Sequence, residues 1–240
     1  MLKKISTLLI LIVTLSGCSK DDDKSQESTP PVVEIPGKKY VDRVITTENG
    51  ETLVTKVNYN NKMQVISYVD DNTSFNFQYE NDRVVAVMEG EESNPYSLYY
   101  TNGVLSGIDH YSQNYSVTYN SSNKTYSFDG TNFKFGITGR DILFVNQLGS
   151  NTETFTYDTS KKGPLYNLDA ENIFPITLFA NFQYFYMTVA PIRTIKFVYD
   201  GVTWTLVAEN IYDDEGYLTE MTLRTAGEEE INIKYEYIVK

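Results

Sequence analysis

The chain has 240 residues, 32 of them acidic and 20 basic, for a formal charge of −12. Binding a phosphate backbone needs a basic face, so this balance disfavours nucleic acid as a partner. A single cysteine excludes an internal disulfide and a cysteine-rich zinc site, while 20 tyrosines and 12 phenylalanines suit strands.

The chain begins with Lys3 and Lys4, followed by an apolar run from Ile5 to Leu15 broken only by Ser6, Thr7 and Thr14. A spanning helix needs ~20 apolar residues, so a run of this length fits an export signal over residues 1–17. Leu15-Ser16-Gly17-Cys18 resembles the lipobox of bacterial lipoproteins. That resemblance implies a diacylglycerol on the Cys18 sulfur, cleavage before Cys18 and acylation of the new amine, with a membrane as partner. Each buried methylene contributes ~0.8 kcal/mol, and several acyl chains hold firmly where one binds marginally. Cleavage removes Lys3 and Lys4, which takes −12 to −14. With Cys18 under lipid, no thiol is left, and the exported domain must be stable from its core alone.

Ser19, Lys20, Asp21, Asp22 and Asp23 resemble the short acidic signal of Bacteroidetes surface lipoproteins, which implies an outer-membrane lipoprotein facing the medium. The alternative is a solvated linker on a periplasm-facing lipoprotein. Residues 18–37, with Pro30, Pro31, Pro36 and Gly37, read as an extended acidic tether, leaving residues 38–240 as one domain.

In that domain, segments ending in tyrosine recur: "TKVNY" to Tyr59, "FNFQY" to Tyr79, "YSLYY" to Tyr100 and "YSVTY" to Tyr119, spaced 20, 21 and 19 residues apart. "TFTY" to Tyr157, "IKFVY" to Tyr199 and "INIKY" to Tyr235 continue the series at wider intervals. Within each segment apolar and polar residues alternate, as in Phe75, Phe77 and Tyr79 against Asn76 and Gln78. Strand side chains have a period of two, so each segment has one buried and one wet face. Asn49-Gly50, Asn102-Gly103, Asp129-Gly130 and Asp200-Gly201 predict tight type I′ hairpins, and Gly216 a longer turn. The expected fold is all-β: an antiparallel up-and-down meander of about fourteen to sixteen strands, curled into a barrel or half-barrel with tyrosines inside. The strands look short for a membrane pore, and their wet faces carry Lys, Glu, Asn and Thr.

"FNFQYENDRVVAVM", "YSLYYTNGVLSGI" and "NIYDDEGYLTEMTL" resemble the Tyr-Asp turn units of the DUF4595-type Bacteroidetes lipoproteins. That resemblance implies a porin-like fold in a protein that is not a porin, and supplies no catalytic residues. Residues 159–192 break the rhythm with Pro164, Pro175 and Pro191, which predicts a non-strand insertion. Asp169 is placed to cap a short helix with Glu171 in its first turn. The aromatic run at residues 178–187 then reads as a plug over one end of the sheet, or as a ligand mouth built on Tyr184 and Tyr186.

Catalytic chemistry finds no anchor. His110 follows Asp109 at a predicted strand end on the surface, and no GxSxG elbow marks a nucleophile. Asp70-Asp71 and Asp213-Asp214-Glu215 fall in turns, where aspartate bonds locally, and the twelve-residue calcium loop is missing. Trp204 shares a strand face with Val202, Leu206 and Ala208 and is expected in the core rather than as a sugar platform. No cofactor signature appears. The sequence therefore points to a non-enzymatic binding or scaffold module for a glycan or protein ligand. The alternatives are a glycan hydrolase using paired carboxylates and a purely structural envelope lipoprotein.

Overall fold

Alternation becomes a wall when every strand finds two neighbours. The computed structural model describes residues 37–91, 94–147, 151–179, 186–225 and 228–240; the signal, Cys18, the acidic tag and most of the tether lie outside them. The first half of the wall is β1 (Lys39–Glu48), β2 (Glu51–Tyr59), β3 (Val65–Val69), β4 (Ser74–Glu80), β5 (Arg83–Glu89), β6 (Tyr96–Thr101), β7 (Val104–His110) and β8 (Gln113–Asn120). The second half is β9 (Thr125–Phe128), β10 (Lys134–Thr138), β11 (Asp141–Gln147), β12 (Asn151–Tyr157), β13 (Ile192–Tyr199), β14 (Val202–Tyr212), β15 (Leu218–Thr225) and β16 (Glu228–Val239). Among the described residues one helix, α1 (Ala170–Leu178), sits in the connection from β12 to β13. Each strand pairs antiparallel with the next, and β16 returns to β1, with Val44 opposite Tyr235 and Thr46 opposite Ile233. The barrel is therefore closed, which decides between the two forms of curled sheet expected from the sequence.

The turns follow their residue chemistry. Asn49-Gly50, Asn102-Gly103 and Asp200-Gly201 hold positive φ at both positions, as a type I′ turn requires. Asp129-Gly130 does not. Only Gly130 has positive φ there, and the link from β9 to β10 runs over five residues. Asn81-Asp82 makes a tight turn with positive φ at both residues and no glycine at all.

Seven of the eight odd-numbered strands carry a one-residue bulge near the same end of the barrel. The skipped residues are Asp42, Ile66, Val85, Ser106, Leu143, Arg193 and Thr219. A bulge interrupts the ladder and leaves a main-chain group to be satisfied some other way. Here the residue just before the bulge turns its carbonyl to a tyrosine hydroxyl from the next strand. Tyr59 donates to Val41, Tyr79 to Val65 and Tyr100 to Val84, each at 2.7 Å, and Tyr237 to Leu218 at 2.6 Å. Tyr157 makes the same bond to Ile142. On β13 the Asn210 amide takes the tyrosine's place, reaching the Ile192 carbonyl at 2.7 Å. At the bulge in β7 the corresponding tyrosine, Tyr119, instead leans on Tyr126 with ring centroids 4.6 Å apart.

These tyrosines fill the interior alongside Val44, Phe75, Phe77, Phe155, Ile195 and Ile233, all in one buried cluster. The outer wall is mostly polar, with Val54, Val207 and Ile211 as exposed apolar exceptions. Asn58 bonds Ser67 at 2.9 Å across β2 and β3, Thr101 bonds Ser106 at 3.0 Å, and Asn232 bonds Thr222 at 3.1 Å. Arg43 pairs with Glu236 over the closing seam. Among the described residues only β1, β2, β14 and β16 have nine or more residues, where a lipid-spanning strand needs ~9–11.

Removing one ladder hydroxyl leaves a buried carbonyl unpaired while keeping the ring. Tyr79→Phe and Tyr100→Phe should each lower the unfolding free energy by about 1–2 kcal/mol in a denaturant titration. Tyr119→Phe, at the interrupted rung, should cost less than half of that.

Candidate functional site at the mouth of the barrel

The two ends of the barrel differ because the insertion enters at one of them. Gly37 and Lys240 lie at that end, where Lys38 and Lys240 exchange backbone bonds at 2.8 and 3.0 Å. Gly163 allows two insertion segments to touch: a Cβ there would fall 2.5 Å from the Thr188 carbonyl oxygen. Leu165, Ile173, Ile176 and Met187 are then almost wholly buried against the strands. The insertion is thus a plug inside the wall.

Polar side chains pin it. Asn172 accepts from the Val84 N–H at 3.0 Å and donates to the Asp82 carbonyl at 2.8 Å. Arg140 donates to the carbonyls of Leu168 and Tyr166, both at 3.1 Å. The buried Asp141 carboxylate accepts from the N–H groups of Val189 and Ala190 at 2.6 and 3.0 Å. Glu171, in the first turn of α1, pairs with Arg83 at 2.6 Å. Asp169 precedes the helix as expected, but its side chain makes no capping bond.

The β1–β2, β3–β4, β7–β8 and β13–β14 turns lie at the other end, and the insertion reaches it too, since Phe179 lies 5.0 Å from Tyr96 at the start of β6. Tyr186, one of the two expected mouth residues, is half-buried there and lines a cleft of about 500 Å³ with Thr46, Glu48, Glu51, Leu53 and Asp70. Burial, with Glu48 nearby, pushes its phenol up to about 12. Tyr184 lies outside the described residues, as do Cys18, Ser19, Lys20, Asp21, Asp22 and Asp23.

Glu48 and Glu51 stand opposite each other in this cleft. Both are exposed, whereas an acid–base pair needs environments that push its two carboxyls apart. Asp70 is taken by its own turn, accepting from the N–H groups of Asn72 and Thr73 at 2.8 and 2.9 Å. The Asp213–Glu215 carboxylates lie at the plugged end, where Lys39 holds Asp213 at 2.8 Å and Glu215 at 2.6 Å. Asp213 also accepts from the N–H groups of Glu215 and Tyr217. His110 does end β7, but it is half-buried rather than a free surface side chain, stacked on Tyr96 with centroids 3.7 Å apart and planes 15° apart. Asp109, on the opposite strand face, accepts from the Tyr99 hydroxyl at 2.9 Å. Neighbouring strand residues point apart, so these two cannot form a dyad.

Trp204 corrects an expectation. It does share the inner face with Leu206, but it is 38% exposed rather than core. The β13–β14 hairpin carries that face up to the rim. Phe197, directly across the ladder, stacks on the indole with centroids 5.1 Å apart and planes 13° apart, and Tyr199 lies at 5.6 Å. Glu153, opposite Phe197 on β12, is 4% exposed and accepts a hydrogen bond from the Tyr199 hydroxyl. Burial, then the bond to Glu153, holds the Tyr199 phenol well above its ordinary range. Nothing in "NTETFTY" marks Glu153 in advance; its alternation with Phe155 places it inside only once that face is known.

No family model matches the chain, and no curated relative does. Among solved structures, a porin-like protein from Bacteroides vulgatus is similar at 14% identity and a TM-score of 0.50, over 84% of this chain and 99% of the other. A porin-like protein from Bacteroides uniformis is similar at 11% identity and a TM-score of 0.50, over 82% of this chain and 96% of that one. At such identities the likeness establishes the porin-like barrel fold alone.

Burial raises the Asp141 carboxyl from an ordinary 3.8 to about 6, against the pull of the two N–H bonds. The folded state thus binds this proton more tightly than the unfolded state does. The stabilisation is full below about pH 4 and is lost as pH rises through about 6. The protein should therefore lose up to about 3 kcal/mol between pH 4 and 7 from this group. Unfolding titrations at both pH values should show that component in the native protein and not in Asp141→Asn.

Proposed function

We propose that this chain is an outer-membrane lipoprotein, anchored through Cys18 and displayed to the medium by the Ser19–Asp23 tag, whose barrel is a non-enzymatic binding module and not a conduit. The observation that carries this reading is the inversion of the wall: apolar and plugged within, mostly polar and cross-bonded without. A barrel that spans lipid needs the opposite, an apolar outer band. A polar wall suits water on all sides, and attachment must then come from elsewhere; the lipobox-like Leu15-Ser16-Gly17-Cys18 supplies it.

The solved neighbours, porin-like proteins of Bacteroides, fit an outer-membrane setting in general terms. Exposed aromatic and polar side chains at the mouth suit a glycan or a protein ligand better than a reaction, since the paired glutamates there are both exposed.

Labelled palmitate should enter the native protein and not Cys18→Ser, which should leave the membrane fraction. Protease added to intact cells should cut the native protein. Replacing Asp21, Asp22 and Asp23 by alanine should protect it while lipidation is kept. A native protein that stays in the periplasm or carries an unmodified thiol would sink the proposal.

A further inference from the structure

Six of the seven bulges give the preceding carbonyl a side-chain donor, and the seventh has a cavity in its place. That bulge is at Ser106 in β7, and the residue before it is Leu105. Leu105 lies opposite Tyr100, one pair beyond a two-residue turn, where the main chain points away from its hairpin partner and toward β8. The β7–β8 ladder begins only at Gly107 opposite Ser116, so it does not reach the Leu105 carbonyl. Tyr119 stands where the ladder tyrosine would, but its hydroxyl has no described partner. Its ring leans on Tyr126, its cross-strand neighbour, and Tyr126 stacks in turn on Phe174 of α1, with centroids 4.4 Å apart and planes 16° apart. The Tyr126 hydroxyl has no described partner either, and neither phenol oxygen is sealed from solvent. Leu105, Tyr119, Tyr126 and Phe174, with Ile137 and Pro175, line a cavity of about 230 Å³ between α1 and β7–β10. It lies at the end of the barrel where the chain enters.

We infer that this cavity binds a small neutral phenol, a single hydroxylated aromatic ring whose O–H completes the missing rung by donating to the Leu105 carbonyl. The inference is independent of the mouth and of the lipid anchor. Size limits the occupant first. An apolar cavity of ~150 Å³ takes up one benzene ring, so this one holds a single substituted ring and not a disaccharide. Hydrogen bonding then selects the group on the ring. The site offers one carbonyl acceptor and two phenol O–H donors. A ligand hydroxyl answers both kinds: its proton goes to Leu105, and its lone pairs accept from Tyr119 or Tyr126. An ammonium has no lone pair for the phenols, and a carboxylate has no proton for Leu105. Arg140 and Glu171 also border the cavity, but they are opposite in sign and each already has partners, the carbonyls of Leu168 and Tyr166 for the first and Arg83 for the second. A neutral molecule therefore fits best. The rings of Tyr126 and Phe174 favour an aromatic body over a saturated one, through edge-to-face contact. Elsewhere in the wall, aryl hydroxyls of the protein itself reach the corresponding carbonyl at 2.6–2.7 Å, so the chemistry of the missing partner is already on display.

Calorimetry on the full-length protein in detergent tests this, with p-cresol, 4-methylanisole and 4-methylcyclohexanol as neutral probes and p-toluate and benzylamine as charged ones. Ala170→Phe in the same detergent is the blank for uptake by micelles. Ala170 is exposed at the start of α1 and borders the cavity, so a larger side chain there fills the site without entering the core. p-Cresol should give saturable heat with the native protein and only the micelle background with Ala170→Phe. 4-Methylanisole keeps the ring and the oxygen but cannot donate, and should bind about tenfold more weakly or worse. 4-Methylcyclohexanol, with the donor but no aromatic ring, should also bind more weakly. The double variant Tyr119→Phe, Tyr126→Phe keeps the rings and removes both donors, and should weaken p-cresol about fivefold. Far-ultraviolet spectra and Tm check that each variant keeps the barrel; should Ala170→Phe unfold, Ala170→Leu replaces it. Equal p-cresol heat in native protein and filled variant would overturn the inference. So would 4-methylanisole, 4-methylcyclohexanol or a charged probe matching p-cresol, or a double variant that binds p-cresol as well as the native protein.

Discussion

A tyrosine hydroxyl donating to the carbonyl beside a bulge is the bond on which this barrel depends. Each partner has a problem the other solves. A bulged strand has a main-chain group without its ladder partner, and inside a wall that group is costly to leave bare. A tyrosine buried for its ring brings a hydroxyl that is equally costly to strand. Pairing them satisfies both and ties each strand to its hairpin partner through a side chain as well as the ladder. Bulges also bend and twist strands. Repeated at the same height on β1, β3, β5, β11 and β15, they turn the sheet steadily and help it close on itself.

Closure at sixteen strands creates the next constraint. An eight-stranded barrel is filled by its own side chains, whereas sixteen strands enclose a space wide enough for water. Here that space is filled twice over, by aromatic rings from the wall and by the plug between β12 and β13. The plug is held by side chains already spent on their neighbours' backbones, Asn172 on β5 and Asp141 at the start of β11. It is anchored at the end where the chain enters and leaves. The insertion also reaches the opposite end, where Phe179 meets Tyr96 at 5.0 Å and Tyr186 lines a cleft, and Trp204 is half-exposed on the inner face of the β13–β14 hairpin.

Much of this was legible because a strand's two faces are written in alternate residues. The run to Tyr59, Tyr79 and Tyr100 has a period near twenty because one bulged strand, one tyrosine-bearing strand and two short turns take that length. Periodicity reveals a face but not a height along it. Tyr199 and Tyr235 do point inward, yet neither joins the ladder. Tyr199 meets Glu153 at the mouth, and Tyr235 donates to the Tyr186 carbonyl of the plug at 3.0 Å. The ladder residue on β16 is Tyr237, two positions on and on the same face. Trp204 was misplaced for the same reason, since its neighbours Leu206 and Ala208 share its face but sit deeper. Asp141 and Asn172 could not be read at all. Their partners lie 48 and 88 residues away, and a single sequence carries no sign of such distant pairings.

The polarity of the wall links fold to setting. Inside and outside are set by which residues alternate, so exchanging the two faces would leave the hydrogen-bond ladders intact while changing the medium that the barrel tolerates. A porin-like path of the chain is thus compatible with either solvent. With Lys56, Asn58, Asn76 and Asn232 outward and Phe75, Phe77 and Ile233 inward, the wall suits water. A lipid anchor of the kind proposed would hold such a barrel at a membrane without touching its core.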